Sequence, residues 1–498
     1  MHNTSIPSAY VGRGLLLSAC VLEIVLGTAL AWTHLPLCDE GFYGVPAHAL
    51  STSGVLRNPV LESAGIKYLR GVDQKFYWMA PMGMVLQGLA FFVFGFGLLI
   101  QRELSVVFGL GVVLCWYLTM RQLVPDRVAG MAALFLSADF VFLSLSSLGR
   151  SDVISLFFSI TALAAYMNLR QRSLALALAV SHTSGALSGV VHPNGGIAAV
   201  LSLVMLMFFL DRARLTWKHF AMIGTCYAVV GLGWVLYAAT APDLFAAQFL
   251  GNVANRFTER MTFPRLFTRE LARYAAAYGL QQAHGIKLAL YLVPVGYLSA
   301  IAFCALSKHL RAQQGVLLLL CMFVGISLSL VFLEGSKQGW YLVHLSPVFC
   351  GLLAIFVDRI WQSGRILERV AAAAQISIIA LGMARLCYDA SRQHLQRLYQ
   401  PATAYLNGHL GPHDLVFARS EFYFGLRCRT CLRDDPNLGA FSGRRADFIV
   451  IDPDYSEYLA GLMQTSAPTY EVIQNTLSSE YRQVFRNDTY EILQRLNR

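Results

Sequence analysis

The sequence predicts a polytopic α-helical membrane protein with a small α/β domain at its C-terminal end. Three observations predict it. The 498 residues are 56% hydrophobic and only 14% charged, whereas an average soluble chain is about a quarter charged. Apolar runs of about twenty residues, enough to carry a helix across ~30 Å of hydrocarbon, recur up to residue 386. From 387 onward the chain becomes polar, and "HDLVFAR" and "ADFIVIDPDY" read as β-strands between helical stretches such as "YLAGLMQ". The apolar runs are continuous, which excludes a transmembrane β-barrel, whose strands need ~10-residue segments of alternating polarity.

Spans are expected at 11–33, 103–123, 128–148, 152–169, 173–191, 195–210, 217–239, 286–306, 315–333, 340–358 and 369–386. The first is read as a retained span, since no small-residue cleavage signature follows it. Every second connector is basic. Arg121 and Arg127 flank one, Arg170 and Arg172 the next. Then come Arg212, Arg214 and Lys218, then Lys308 and Arg311, then Arg359, Arg365 and Arg369. With these on the cytoplasmic side, the alternate short connectors hold only Arg150 and Lys337, as the positive-inside rule requires. The stretch 79–99 is as apolar as any span, yet a crossing there would invert everything after it, so it is expected to lie in the interface or to enter and return on one face.

The non-cytoplasmic face then receives a long loop (34–102), a second loop (240–285) and the tail domain (387–498). The second loop carries Arg256, Arg260, Arg265, Arg269 and Arg273, against the topological trend. The net charge of +10 is explained by orientation in the membrane. It points to anionic lipid head groups or an anionic lipid-linked substrate, not nucleic acid. The ten cysteines sit mostly singly in apolar runs, as small core residues do. Only Cys428 and Cys431 have motif spacing, and their external location favours a local disulfide.

Polar groups gather where the chain leaves the membrane on this outer face. Asp39 and Glu40, in "THLPLCDEGFYGVPAHAL", follow the first span and head a helix with Tyr43 on its apolar side. An acid there either caps the helix or serves as a general base at the lipid–water boundary. Arg150 and Asp152 punctuate the next outer junction, and His192, Pro193 and Asn194 another. Each alone is an ordinary turn; together they place polar groups at one depth. Asp139 and Glu23 lie within spans, where a charge is costly, and are read as structural. Paired acids near His34, Cys38 and His48 are compatible with a divalent metal, but no ligand spacing calls for one, and no cofactor motif is present.

In chain order the outer-face features are Asp39-Glu40-Gly-Phe-Tyr43; an apolar segment from Pro81 to Phe94-Gly95; Arg102 before "ELSVVFGLG"; Arg150-Ser-Asp152; His192-Pro193; and Lys337-Gln-Gly-Trp-Tyr341 with Pro347. This order, over roughly residues 11–350, resembles the lipid-phosphate-dependent glycosyltransferases of the GT-C fold. The similarity is to the bacterial branch related to protein O-mannosyltransferases and aminoarabinose transferases. The resemblance implies about 11–13 spans, a juxtamembrane 79–99 segment, and a polyprenyl-phosphate-linked sugar donor used at the outer face of the cytoplasmic membrane. The acceptor would be a glycan, lipid or protein hydroxyl.

The resemblance also implies residue roles. Asp39 maps to the catalytic base, with Glu40 and Asp152 as further candidate catalytic acids. Cations suit the departing phosphate; Arg102, Arg256, Arg260, Lys337 and Lys75 are the candidates. Tyr43, His192, Asn194 and Tyr341 are expected to line the pocket. The sequence departs from the family in "KFYWMAPM", where Lys75 is displaced from the single Pro81. The competing class is a transporter or flippase of a lipid-linked glycan, which would place its charges near the midplane, often in repeated halves. No internal repeat is visible.

Overall fold

The computed structural model describes residues 8–256, 263–278, 292–335 and 337–496. Helix α1 (Ser8–Thr33) crosses first, and α2 (Cys38–Ser53) and α3 (Met82–Phe94) belong to the first loop. Then follow α4 (Leu98–Met120), α5 (Asp126–Ser137), α6 (Phe140–Ser146), α7 (Ser151–Leu169), α8 (Leu174–Val191), α9 (Pro193–Asp211) and α10 (Trp217–Ala239). The second loop holds α11 (Pro242–Phe245), α12 (Gly251–Arg256) and α13 (Phe263–Ala277). The bundle closes with α14 (Leu292–Leu306), α15 (Lys308–Arg311), α16 (Gln314–Leu333), α17 (Ser346–Gln362) and α18 (Ile366–Ser391). Among the described residues eight helices are long and apolar enough to span a bilayer, or nine counting a bent pair as one span.

Most expected spans are single helices; the differences have local causes. The run expected over 128–148 is broken into α5 and α6, bent by 62°. Asp139 sits in the break. Its carboxylate accepts from the Phe142 amide (2.8 Å), the Tyr297 hydroxyl (2.8 Å) and Ser346 Oγ (2.8 Å), so this intramembrane acid is structural. The span expected from 340 begins only at Ser346, after a tight turn over Gly339–His344. Helix α3 has 13 residues, or ~20 Å at 1.5 Å per residue, short of a ~30 Å core.

Apolar side chains fill the bundle between α4–α9 and α14–α17, with Trp116, Phe142 and Phe349 almost fully enclosed. Outward, Val229, Val235 and Leu236 of α10 are 66%, 60% and 59% exposed, a surface suited to lipid. The basic connectors share one end: Arg127 pairs with Asp358, Arg170 reaches Asp211 at 2.6 Å, and Gln314 donates to the Phe209 carbonyl.

At the opposite end lies the tail domain. Its sheet runs β2 (Leu432–Arg433), β1 (Val416–Phe417), β3 (Phe448–Ile451), β5 (Glu491–Arg495), β4 (Tyr481–Arg486), with α19 (Gln400–His409), α20 (Pro453–Thr465) and α21 (Ala467–Glu480) around it. β1 is parallel to β2 and β3, and β5 is antiparallel to β3 and β4. Cys428 and Cys431 form a disulfide. The first loop joins this domain. Leu61 bridges Asp434 at the sheet edge, with Asp434 N–Val60 O at 2.9 Å and Glu62 N–Asp434 O at 3.0 Å. Gly41 of α2 packs on Ser420 so closely that a Cβ would lie 2.3 Å from the Ser420 carbonyl carbon.

Candidate active site

The tail-domain end of the bundle carries a cavity of about 660 Å³ lined by Asp39, Tyr43, Arg150, His192, Asn194, Asn252, Arg256, Glu334, Trp340, Tyr341 and Asp454, among others. Chain ends converge there. α2, α7 and α9 all begin at it, and α12 and α16 end at it. Three converging helix N-termini favour negative charge, which suits an anionic ligand.

Asp39 is in the first turn of α2, its side chain 29% exposed. It pairs with Arg150, whose Nε also donates to Asp152 Oδ2 at 2.8 Å. The Arg150 guanidinium lies 4.9 Å from the Trp340 ring centre. One cation therefore holds two carboxylates, and only Asp39 opens to the cavity. Asp152, expected as a catalytic acid, is fully buried against Arg150 and does not line the cavity.

Across the cavity stand His192, Asn194, Arg256 and Tyr341. His192 caps α9, its Nδ1 accepting from the Asn194 amide at 3.3 Å, and its ring is 5.0 Å from that of Tyr341. Burial pulls the His192 pKa down to about 4 although Asp152 is near, so the imidazole is neutral at pH 7. Burial opposes the charge on Arg256, but a hydrogen bond to Tyr341 and the nearby Glu334 carboxylate outweigh it and raise its pKa.

Several expected ligands are placed elsewhere. Glu40 and Arg102 bind each other. Arg102 NH2 lies 2.6 Å and Nε 2.7 Å from the Glu40 carboxylate, both side chains fully buried. Glu40 also accepts from the Gly149 and Leu37 amides, and Arg102 donates to the carbonyls of Ala31, His34 and Leu35. With their polar atoms thus engaged, this pair ties α1, α2, α4 and the Arg150 turn together, and neither residue lines the cavity. Lys337 caps α16, donating to the Leu330 (2.9 Å) and Val331 carbonyls, and lies 3.8 Å from Glu270. Lys75 donates to the Thr240 carbonyl at 3.2 Å and lines a separate hollow. Arg260 lies outside the described residues.

Glu334, Trp340, Asn252 and Asp454 line the cavity without having been expected there. Glu334 follows the apolar run 315–333 as Asp39 follows the first one; that signal is visible in the sequence. Asp454 belongs to the tail domain and pairs with Arg419 at 3.5 Å, itself 5.9 Å from the Phe42 ring and 5.2 Å from that of Tyr455. Only tertiary folding reveals it. Among the described residues no group of three or more His, Cys, Asp or Glu has metal-binding geometry.

An apolar groove leads away from the cavity. A hollow of about 400 Å³ shares Pro193 and Ile197 with it and is walled by Gly185, Gly189, Gly196, Tyr227 and Gly231. A third hollow, about 520 Å³, adjoins this one at Val190 and Val230 and continues past Pro81, Trp234 and Tyr237.

No family model and no curated protein matches the chain. Solved structures do. ArnT from Cupriavidus metallidurans bound to undecaprenyl phosphate aligns over 97% of this chain and 98% of its own, with a TM-score of 0.62 and 14% identity. The oligosaccharyltransferase AglB from Archaeoglobus fulgidus, in complex with an inhibitory peptide and a dolichol-phosphate, aligns over 97% of this chain and 74% of its own, with a TM-score of 0.58 and 13% identity. The chain has the GT-C fold of these proteins.

Proposed function

We propose that the protein is a membrane glycosyltransferase. It moves a sugar from a polyprenyl-phosphate donor to an acceptor hydroxyl at the outer face of the cytoplasmic membrane, with Asp39 as general base. One observation carries the reading. A partly exposed carboxylate and a cationic, helix-N-terminal wall face the same cavity, and an apolar groove leads out of it. ArnT bound to undecaprenyl phosphate and AglB in complex with a dolichol-phosphate support the same ligand class. The basic connectors at the other end of the bundle support an extracytoplasmic cavity.

The chemistry follows from that arrangement. Asp39 takes the acceptor hydroxyl proton as the oxygen bonds to the anomeric carbon. Arg150 fixes the carboxylate by pairing with it. The bond from that carbon to the phosphate oxygen breaks, and its electron pair stays with the lipid phosphate. Arg256, Tyr341 and the α9 N-terminus stabilise the new charge. A single displacement inverts the anomeric configuration. The polyprenyl tail occupies the groove between α8, α9 and α10, and the tail domain, through Asp454, borders the acceptor side.

The test is transfer by the purified full chain from a panel of undecaprenyl-phosphate sugars to membrane extract. Asp39→Asn is expected to lower turnover by ~10²–10⁴-fold with donor binding retained; Arg256→Gln is expected to weaken donor binding. Full turnover in Asp39→Asn would refute the base. Transbilayer movement of a labelled glycolipid without transfer would favour a flippase.

A further inference from the structure

Glu334 is a second carboxylate on the phosphate side of the cavity, and the mechanism above does not use it. It is 4% exposed and held from behind. Arg273, 1% exposed, donates NH2 to Glu334 Oε2 at 2.9 Å and to the Leu330 carbonyl at 3.0 Å, and lies 3.3 Å from Glu270. Lys337, whose φ is +55°, closes the same cluster at 3.8 Å from Glu270. Of these four charged residues only Glu334 lines the cavity. Its negative charge is felt by Arg256, Tyr341 and His192, the groups that face the phosphate.

A carboxylate fixed beside an anion site weakens binding there, so its position calls for a reason. The two phosphates of the reaction differ in charge. The donor is a phosphodiester with one negative charge. The product is a monoester whose second ionisation lies near ~6, so that it carries about −1.5 to −2 at pH 7. A fixed negative group repels the second charge and leaves the diester less affected.

We propose that Glu334 discriminates against the phosphate monoester left after transfer and so promotes its release, with Arg273 as the positioning residue. The proposal rests on the reading of this cavity as a polyprenyl-phosphate site. Donor binding draws on the sugar and the tail as well as the single charge. Product binding keeps the tail and meets the repulsion in full.

The test is direct binding of two probes to the full chain in nanodiscs: undecaprenyl phosphate and its monomethyl ester, which differ by one ionisable oxygen. Glu334→Gln is expected to tighten the monoester about three- to tenfold at pH 7.5 and to leave the methyl ester within twofold. At pH 5, where the monoester carries one charge, the selectivity shift is expected to vanish. Glu270→Gln, which alters the same cluster away from the cavity, is expected to leave the ratio of the two affinities unchanged. A Glu334→Gln/Arg273→Gln double variant, which removes Arg273 together with its partner, is expected to repeat the shift. An equal change for both probes, no change, or the same shift in Glu270→Gln would overturn the proposal. Wild type that binds neither probe would instead overturn the reading on which it rests.

Discussion

The Glu40 carboxylate lies 2.6 Å from the Arg102 guanidinium with neither side chain open to solvent, while the carboxylate one residue earlier borders the cavity. Two adjacent acids therefore have different duties, and their substitutions should fail differently. Removing one partner of a buried ion pair costs about 3–5 kcal/mol because the other charge is stranded. Glu40→Gln is expected to lower the thermal stability of the detergent-solubilised chain and its yield, whereas Asp39→Asn should melt near wild type and lose turnover. A scanning-fluorescence melt of both variants decides it. Only the family resemblance singles out Asp39; the residue pattern alone does not say which member of the acid pair faces the cavity. That depends on helix phase: consecutive residues point about 100° apart on a helix, so one of two neighbours turns inward to Arg102 and the other outward. The sequence marks Arg150 as a junction residue and as part of the Arg150-Ser-Asp152 motif but not its pairing with Asp39, which is visible only once Asp39 and Asp152 are brought to either side of it.

Among the elements, α2 carries the most consequence. It holds Asp39, Glu40 and Tyr43 and packs against the tail domain at Ser420. The close approach requires Gly41. A methyl group there would overlap the Ser420 carbonyl, and backbone atoms give way less easily than a flexible side chain. Gly41→Ala is expected to cost roughly 1–3 kcal/mol, to loosen the tail domain in limited proteolysis, and to reduce turnover more than donor binding. Unchanged cleavage of the tail would show that the contact is dispensable. The runs of α1, α7, α8, α9, α10 and α16 were legible because lipid-facing helices need long apolar stretches whatever their neighbours. The break at Asp139 and the late start of α17 were not. Both depend on partners far along the chain, such as Tyr297 and Ser346, which no local pattern encodes.

At the scale of the whole molecule, the apolar groove along α8, α9 and α10 shares Pro193 and Ile197 with the polar cavity. Gly185, Gly189, Gly196 and Gly231 line the groove; Gly196 meets Gly189 at a close helix contact, while a Cβ on Gly231 would enter open space. Gly189→Leu is expected to raise KM for a long-chain undecaprenyl-phosphate donor severalfold while sparing a short-chain analogue; equal effects on both would argue that the tail lies elsewhere. That these polar residues share one end of the bundle is legible in the spacing of the spans, but the groove is not, since small residues in a span also serve ordinary helix packing. The edge bridge between Leu61 and Asp434, together with the seat of Gly41 on Ser420, has a consequence for biogenesis. The residues that hold Asp39 in place are made early, but their partners emerge hundreds of codons later. A nascent chain inserted up to its last span would thus have the first loop without its seat, and a premature stop before residue 420 would leave Gly41 and Leu61 with no partners.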